Sequence, residues 1–325
     1  CFKMKSMSLR KKRIGVSVLT AMAVLWPGNY AQAQLPSLPP GNLNFIVLSD
    51  MGTTPDKQVA AAAVAENVAR MVAGNRMDFI AVAGDAIHGN GVQSVDDPEW
   101  TTRFENLFSA PALHTLPWYT VAGNHEYKGS VPVLAEYSHR SPRWNAPSRY
   151  FAFERSLGYG NPPCLFVFLD TTPLMDSYRK DPRRKGILEQ SLEGQLNWLD
   201  SVLTTSRAGW KIVIGHHPVY AFTAKNVNER LDMEKRVGTL VEKHGADLYI
   251  CGHIHSFQFI RPEGCKANYV VNPSAHTSRP VEPTDGTLAC ENAPGFTVYS
   301  VSKDTLDFYF VDDKGKVGYT TKIGK

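Results

Sequence analysis

Short apolar runs alternate along the chain with longer segments in which apolar residues recur every three or four positions. The runs predict strands at residues 44–48, 79–83, 118–121, 165–169, 211–214 and 248–251. The amphipathic segments between them predict helices at residues 57–72, 100–108, 188–203 and 230–244. Strands that alternate with helices in this way predict a layered α/β domain.

The pattern changes after residue 251, where turns separate short apolar runs and no helical period is visible. These runs predict further strands at residues 257–260, 268–271, 296–301, 306–311 and 317–322. We therefore expect the C-terminal strands to form a second sheet that completes a sandwich with the first.

The first 33 residues have the pattern of an export signal. Six basic residues precede the apolar run of residues 14–26, and Ala31-Gln32-Ala33 has the form of a cleavage site. A membrane anchor is the alternative, but the apolar run is shorter than the roughly 20 residues that span a bilayer. We expect a cleaved signal peptide at 1–33, a proline-rich linker at 34–43 and one domain at 44–325. The mature protein would be periplasmic or secreted, without a stable membrane anchor.

The formal net charge of +4 depends on this leader. Removing its six basic residues, which no acidic residue accompanies, leaves a net charge of −2. The basic character therefore gives no indication of a nucleic-acid partner. Export also permits disulfides, and Cys265 and Cys290 are the candidates for a bridge because they lie in polar, turn-rich sequence. Cys251 lies in an apolar run and is expected to be a buried thiol.

Each of the six predicted α/β strands is followed by a polar residue or cluster. In chain order these are Asp50, Asp85, Asn124 with His125, Asp170, His216 with His217, and His253 with His255. Ligands of open α/β sheets bind in the crevice outside the carboxyl ends of the strands. We therefore expect these side chains to meet in space, although they are scattered along the chain.

Carboxylates, an amide and several imidazoles suit manganese, iron or zinc better than calcium, which takes oxygen ligands. The number of candidate donor side chains exceeds the roughly four to six ligands that one such ion binds. One donor is therefore expected to bridge two ions. Two ions about 3.5–4 Å apart clamp the attacking and leaving oxygens of a phosphoryl transfer. Glycines directly before Asp85, Asn124, His216 and His253 are expected to let the chain turn as it leaves each strand.

Each residue taken alone also has a structural interpretation. A strand that ends in aspartate is usually a turn or a helix cap, and His253 and His255 could be polar residues at a strand end. The His125-Glu126 pair is more informative, because a turn needs neither residue. His217, next to a candidate ligand, and His276, from the second sheet, are candidates for substrate binding.

The loop at residues 177–186 is rich in arginine and lysine. One interpretation is a solvated charged loop. The other is a mobile lid whose Arg183 and Arg184 attract an anionic substrate.

The polar clusters form an ordered set of motifs. Asp50 is followed by Gly84-Asp85, Gly123-Asn124-His125-Glu126, Gly215-His216 and Gly252-His253-Ile254-His255. This order resembles the calcineurin-like metallophosphoesterases, and more narrowly the small, tartrate-resistant type of purple acid phosphatase. The resemblance extends from residue 44 to the C-terminus. It implies an α/β fold of two central mixed β-sheets flanked by helices, a four-layer sandwich.

By this resemblance, two metal ions share one bridging carboxylate, that of Asp85. The remaining ligands fall into two sets, Asp50, His88 and His255 for one ion and Asn124, His216 and His253 for the other. His125 matches the position from which family members protonate the leaving group or orient the phosphate.

His88 is a departure from the purple acid phosphatases, which have at this position a tyrosine whose phenolate binds ferric iron and gives the colour. Other metallophosphoesterases supply an imidazole to the same metal from two residues after the first aspartate, where this chain has Gly52. We predict that His88 restores an imidazole and favours divalent metal over ferric iron. The alternative is that His88 only caps the loop. A second departure is residues 221–230, which lack the further pocket histidine of many relatives.

The resemblance implies an exported phosphohydrolase that acts on phosphate esters with two divalent or mixed-valence ions of iron, manganese or zinc. We expect a phosphomonoesterase of the acid phosphatase type, in which a metal-bound hydroxide attacks phosphorus and His125 assists departure of the alcohol. The alternatives are a phosphodiesterase acting on nucleotides or phospholipid headgroups, and a metal-containing binding protein without turnover.

Overall fold

Two mixed β-sheets of seven strands each lie at the centre of the fold in this computed structural model, which describes residues 34–54, 58–184, 186–223 and 227–325. The predicted signal peptide, residues 1–33, lies outside the described residues. In spatial order the first sheet contains β14 (Val317–Gly324), β13 (Thr305–Asp312), β12 (Gly295–Val301), β1 (Leu43–Leu48), β2 (Phe79–Val82), β3 (Trp118–Thr120) and β4 (Trp144–Asn145). The second contains β11 (Thr287–Glu291), β9 (Phe257–Ile260), β10 (Asn268–Val271), β8 (Leu248–Cys251), β7 (Trp210–Ile214), β6 (Cys164–Phe168) and β5 (Phe151–Arg155).

Helices lie in the connections between strands. They are α1 (Gln58–Gly74), α2 (Pro98–Trp100), α3 (Pro132–Tyr137), α4 (Asp176–Arg179), α5 (Leu192–Thr205), α6 (Val227–Met233) and α7 (Thr239–Lys243). Shorter 3-10 turns occur at Pro111–Leu113, Glu126–Lys128 and Thr172–Leu174, and π-helical turns at Thr101–Glu105 and Glu234–Gly238. In the described part of the chain, no helix combines the length and the apolar character needed to cross a lipid bilayer.

The prediction of two central sheets flanked by helices is confirmed, but the strands are divided between the sheets differently from the expectation. Strands β1, β2 and β3 pair in parallel in one sheet, and β6, β7 and β8 pair in parallel in the other. The C-terminal strands do not form a sheet of their own. Instead, β12 pairs with β1 and β10 pairs with β8. Strands from the part of the chain after residue 251 thus provide hydrogen-bond partners for the open edge of each set of parallel strands.

The helix predicted at 100–108 ends with a π-helical turn at Thr101–Glu105. The segment predicted at 230–244 is helical from Val227 to Lys243, with a π-helical turn at Glu234–Gly238 in its middle. The helix predicted at 188–203 begins at Leu192, because the Ser191 side chain caps it by accepting a hydrogen bond from Gly194 N at 2.9 Å. Strands β4, β5 and β11 and helices α3 and α4 were not predicted. The two residues of β4 are too few to give a pattern.

The predicted linker, residues 34–43, lies against the domain. Leu38 is buried, and its N–H donates to Asn75 Oδ1 at 2.7 Å. Pro39 O accepts a hydrogen bond from Asn44 Nδ2 at 3.0 Å. These contacts hold the chain in place where it enters β1.

The predicted bridge between Cys265 and Cys290 is not formed, and both residues are free thiols. Cys265 Sγ lies 3.9 Å from the Tyr220 hydroxyl, and Cys290 is part of β11. Cys251 is a buried thiol, as predicted.

An aromatic cluster joins the two sheets. Phe45 on β1 stacks between Phe79 and Tyr299, at centroid distances of 5.0 and 4.8 Å. Phe166 of the opposite sheet meets the Phe45 ring edge-on at 5.1 Å. Phe45 is fully buried, so this ring fixes the separation of the sheets close to the start of β1.

We expect Phe45→Ala to lower the free energy of unfolding by about 3–5 kcal/mol, because the neighbouring rings cannot collapse into the space of a lost phenyl group. Urea unfolding followed by tryptophan fluorescence measures the change. Tyr159→Ala, at a fully exposed position, is the control and is expected to change stability by no more than about 0.5 kcal/mol. An equal, small effect of both substitutions would contradict the importance of this cluster.

Candidate metal centre

The loops after five parallel strands meet at one end of the two sheets. Backbone hydrogen bonds join neighbouring loops, since Asp50 N donates to Gly84 O at 3.1 Å and Gly252 N donates to His216 O at 3.0 Å. A third bond connects the sheets, because His253 N donates to Asp50 Oδ2 at 3.0 Å. The side chains predicted to converge therefore lie together, with one exception among the described residues. Asp170 belongs to none of the donor groups, because its Oδ2 accepts a hydrogen bond from the Tyr127 hydroxyl at 2.5 Å.

Four non-glycine residues of the described chain have a left-handed backbone. They are Asp50, Asp85, His253 and His255, with φ of 49°, 50°, 70° and 63°. All four are candidate metal ligands. This conformation costs about 1–3 kcal/mol for a residue with a Cβ and persists only where the surroundings enforce it. Its confinement to these four positions is typical of a functional site.

The glycines before the candidate ligands mainly provide space. Of the four, only Gly84 has a left-handed φ, at 79°. A Cβ on Gly123 would collide with Asp85 Oδ1, and a Cβ on Gly252 would lie 2.6 Å from the Ser49 side chain. The expectation that all four glycines turn the chain is therefore wrong. The strand ends approach each other too closely for any side chain at these positions.

One group of donors contains Asp50, His88 and His255. Each offers an atom within 4.8 Å of the others, and His255 Nε2 lies 3.0 Å from Asp50 Oδ1. Asp50 and His255 are buried, whereas the His88 side chain is 19% exposed. These are the residues that the sequence assigns to one ion together with Asp85.

A second group surrounds His216. Its Nε2 lies 3.2 Å from Asp85 Oδ2 and 3.2 Å from Asn124 Oδ1, and the His253 ring lies 5.0 Å from the His216 ring. His88 Nε2 approaches the same Asp85 oxygen from the first group at 3.7 Å. Asp85 therefore lies between the two groups, where a bridging ligand is required.

The protonation of these donors is consistent with a metal site. Burial alone would lower the pKa of His216, but the charge of the neighbouring Asp85 carboxylate raises this pKa to about 10. Burial lowers the pKa of His88 to about 3, which leaves the neutral imidazole that binds metal. A cation can replace the His216 proton, and the mixture of carboxylate, amide and imidazole fits zinc, iron or manganese.

His125 lies at the exposed side of these groups. Its backbone N–H donates to Asp85 Oδ1 at 2.8 Å, and its ring stacks on His88 at a centroid distance of 3.8 Å. Nε2 lies 3.9 Å from Asp85 Oδ2. At the opposite edge of the ring, Nδ1 lies 2.6 Å from Gly89 O and 3.1 Å from Lys128 Nζ. The Nδ1 contacts leave Nε2 directed toward the metal donors.

The two predicted substrate-binding histidines lie beside the donor groups. The His217 ring is fully buried 4.4 Å from the His253 ring, and its Nδ1 lies 2.8 Å from Thr171 Oγ1. Its Nε2 makes no hydrogen bond with the described residues. His276 lies at the other group, with Nδ1 2.7 Å from Asp50 O.

Glu126, whose role the sequence motif did not reveal, joins two of the loops. Its carboxylate accepts hydrogen bonds from Asp85 N at 3.0 Å, Gly123 N at 2.7 Å and Ile87 N at 3.2 Å. Burial, followed by the nearby Asp85 carboxylate, raises the pKa of Glu126 to about 8. Glu126 therefore fixes Asp85, the candidate bridging ligand, through the backbone.

Glu229 of α6 is a second carboxylate that the sequence analysis missed. Its Oε2 lies 3.0 Å from His253 Nε2, and Glu229 is buried. Burial and a hydrogen bond to Glu229 raise the pKa of the Tyr178 hydroxyl. Because Glu229 occupies Nε2, Nδ1 is the His253 nitrogen that would bind a metal. A single glutamate on a helix belongs to no recognisable motif, so the sequence alone gave no signal.

The two arginines of the basic loop occupy different environments. Arg184 is buried, donates from Nη1 to the carbonyl oxygen of Asn124 and stacks over the Tyr178 ring at 4.8 Å. Arg183 is 81% exposed and pairs with Asp181 at 2.8 Å. Of the two, Arg184 is the arginine that reaches the candidate metal centre.

We expect Glu229→Gln to weaken one of two zinc affinities about 10–100-fold, because a neutral amide no longer stabilises the Nε2–H form of His253. Titration of the chelator-stripped protein with Zn²⁺ against a chelating dye measures both affinities. Glu193→Gln, at an exposed position on α5, is the matched control and is expected to bind zinc as the unsubstituted protein does. Two unchanged affinities in Glu229→Gln would show that this carboxylate has no part in metal binding.

Comparison with known proteins is consistent with this geometry. The family model described as calcineurin-like phosphoesterase matches residues 43–257. The human tartrate-resistant acid phosphatase type 5 is 29% identical over 310 residues, which cover 89% of this chain and 94% of the human protein. Purple acid phosphatase 3 of Arabidopsis thaliana is 30% identical over 274 residues, which cover 80% of this chain and 72% of the plant protein.

The fold also matches that of solved structures. GAP50, the anchor in the inner membrane complex of Plasmodium, superposes with a TM-score of 0.74 at 23% identity, over 87% of this chain and 89% of the Plasmodium chain. The predicted resemblance is thus confirmed by the family match and by relatives that align over most of their length. The chain belongs to the calcineurin-like phosphoesterase family and is a phosphoric ester hydrolase related to the acid phosphatases.

Proposed function

We propose that the chain is an exported phosphomonoesterase that works with two metal ions. The observation that supports this most strongly is the pair of donor groups that share Asp85, with His125 beside them at the exposed side. The acid phosphatase names of the curated relatives favour monoesters as substrates. Export is inferred from residues 1–33, which lie outside the described structure.

The donor sets fit two cations that share the Asp85 carboxylate. Asp50, His88 and His255 would complete one site, and Asn124, His216 and His253 the other. Two cations in these positions supply Lewis-acid activation of a water molecule and neutralise negative charge on the phosphate. Iron, manganese and zinc all match this mixture of oxygen and nitrogen ligands.

His125 is the residue that would move a proton. From Nε2 it would donate to the oxygen of the departing alcohol. The contacts of Nδ1 with Gly89 O and Lys128 Nζ hold the ring at one edge, and the stack on His88 holds its face. The backbone bond from His125 N to Asp85 ties its position to that of the bridging carboxylate.

Metal-loaded protein is expected to hydrolyse p-nitrophenyl phosphate faster than its bis-ester. His125→Ala should lower kcat for phenyl phosphate by about 10²–10⁴-fold, because phenolate is a stronger base than p-nitrophenolate and leaves poorly without a proton donor, while bound metal measured by elemental analysis stays unchanged. His139→Ala, at an exposed position, is the matched control with the unsubstituted rate. Faster turnover of the bis-ester would instead indicate a phosphodiesterase. Metal binding without turnover of either ester would indicate a binding protein.

We also propose that His88 supplies the imidazole that other family members supply from two residues after the first aspartate. That position is Gly52, where a Cβ would lie 2.8 Å from Ala86 O and 2.9 Å from Arg103 Cβ. No imidazole fits there. The backbone of His88 is fixed by its N–H, which donates to Gly52 O at 2.8 Å, and by its carbonyl, which accepts from Arg103 at 2.5 Å.

Iron-loaded protein is therefore expected to lack a tyrosinate-to-iron charge-transfer band in its visible spectrum. His88→Tyr is expected to gain that band, because it places a phenolate at the donor group of Asp50 and His255. His139→Tyr, at an exposed position, is the control and should remain colourless. A charge-transfer band in the unsubstituted protein would show that another residue supplies a phenolate, and would refute the role of His88.

A further inference from the structure

One side of the candidate metal centre is covered and the other is open. The covered side is the one that contains Asn124 and His253. It lies under three buried side chains, those of Arg184, Tyr178 and Glu229. At the opposite side a cavity of about 260 Å³ opens beside the other donor group. Its lining consists of His88, Gly89, His255 and His276 and of the more peripheral Thr53, Thr54, Thr277 and Arg279.

This cavity is polar and carries a positive charge. Threonine side chains form much of the wall away from the histidines, and none of the described lining residues has a large apolar side chain. Arg279 is fixed at the rim, since its N–H donates to His255 O at 2.9 Å and its Nη1 donates to His253 O at 3.2 Å. Among the residues that the structure describes, no carboxylate forms an ion pair with Arg279.

We propose that the cavity holds the alcohol part of the substrate and that Arg279 binds a second acidic group on that alcohol. The inference rests on the proposed phosphomonoesterase function. The phosphate would be held at the shared donors. Because Arg184, Tyr178 and Glu229 cover one side of the centre, the open cavity is the space left for the alcohol. A guanidinium that forms no ion pair with a described carboxylate can pair with a carboxylate or a second phosphate of a substrate. The substrate class is therefore a phosphomonoester of an alcohol that is itself acidic.

Two probe substrates that differ in one acidic group test this assignment. The experiment compares kcat/KM of metal-loaded protein for 4-carboxyphenyl phosphate and for phenyl phosphate. Arg279 lies at an exposed rim, so we expect Arg279→Met to lower the ratio of the two values roughly fivefold. Added salt should lower the ratio in the unsubstituted protein, because salt screens exposed charges.

Arg279→Lys keeps the charge and is expected to keep most of the preference. Arg261→Met removes an exposed arginine outside the cavity and should leave both rates unchanged. An unchanged ratio in Arg279→Met, or equal losses for both substrates, would overturn the proposal, since equal losses would mean that Arg279 only supports His253 and His255. Failure of the unsubstituted protein to hydrolyse either ester would instead refute the proposed function.

Discussion

The burial of two carboxylates, Asp50 and Asp85, at the junction of the two sheets is the constraint on which the rest of the site depends. A buried carboxylate is costly unless charged or polar partners surround it. Here the partners come from loops of both sheets, since His255 contacts Asp50 and His216 contacts Asp85. Bringing these loops together requires a left-handed backbone at both aspartates and bare glycines where the loops touch. The left-handed backbone at the two aspartates and the glycines at the points where the loops touch thus have one common cause.

Two further carboxylates act from outside this inner group. Glu126 holds the loops after β2 and β3 by their backbone N–H groups, whereas Glu229 contacts a ring nitrogen of His253. Glu126 therefore determines where Asp85, the proposed bridging ligand, lies, and Glu229 determines which nitrogen of His253 faces the candidate metal centre. Both are buried, so neither is available to a substrate. They are positioning residues, and their presence explains how loop residues can hold a rigid arrangement of donors.

The parallel strands and the candidate donors were predictable because buried parallel strands are continuous apolar runs and because ligands of open α/β sheets bind at the carboxyl ends of the strands. The pairing of β12 with β1 and of β10 with β8 was not predictable, since an apolar run does not indicate which open edge it will join. Glu229 was missed for a similar reason. Its contact with His253 depends on how α6 packs, and helical periodicity does not reveal that.

An imidazole in place of a phenolate at position 88 would remove one negative charge from the ligands of the proposed centre and would suit a divalent ion in place of ferric iron. Asp50 and Asp85 are the two inner carboxylates, so two divalent cations bound there would leave two positive charges uncompensated. A monoester dianion balances the excess better than a diester, which carries one negative charge. Arg184, over the covered side, and Lys128, beside His125, add further positive charge. The same electrostatic reasoning favours monoesters over diesters without reference to the names of relatives.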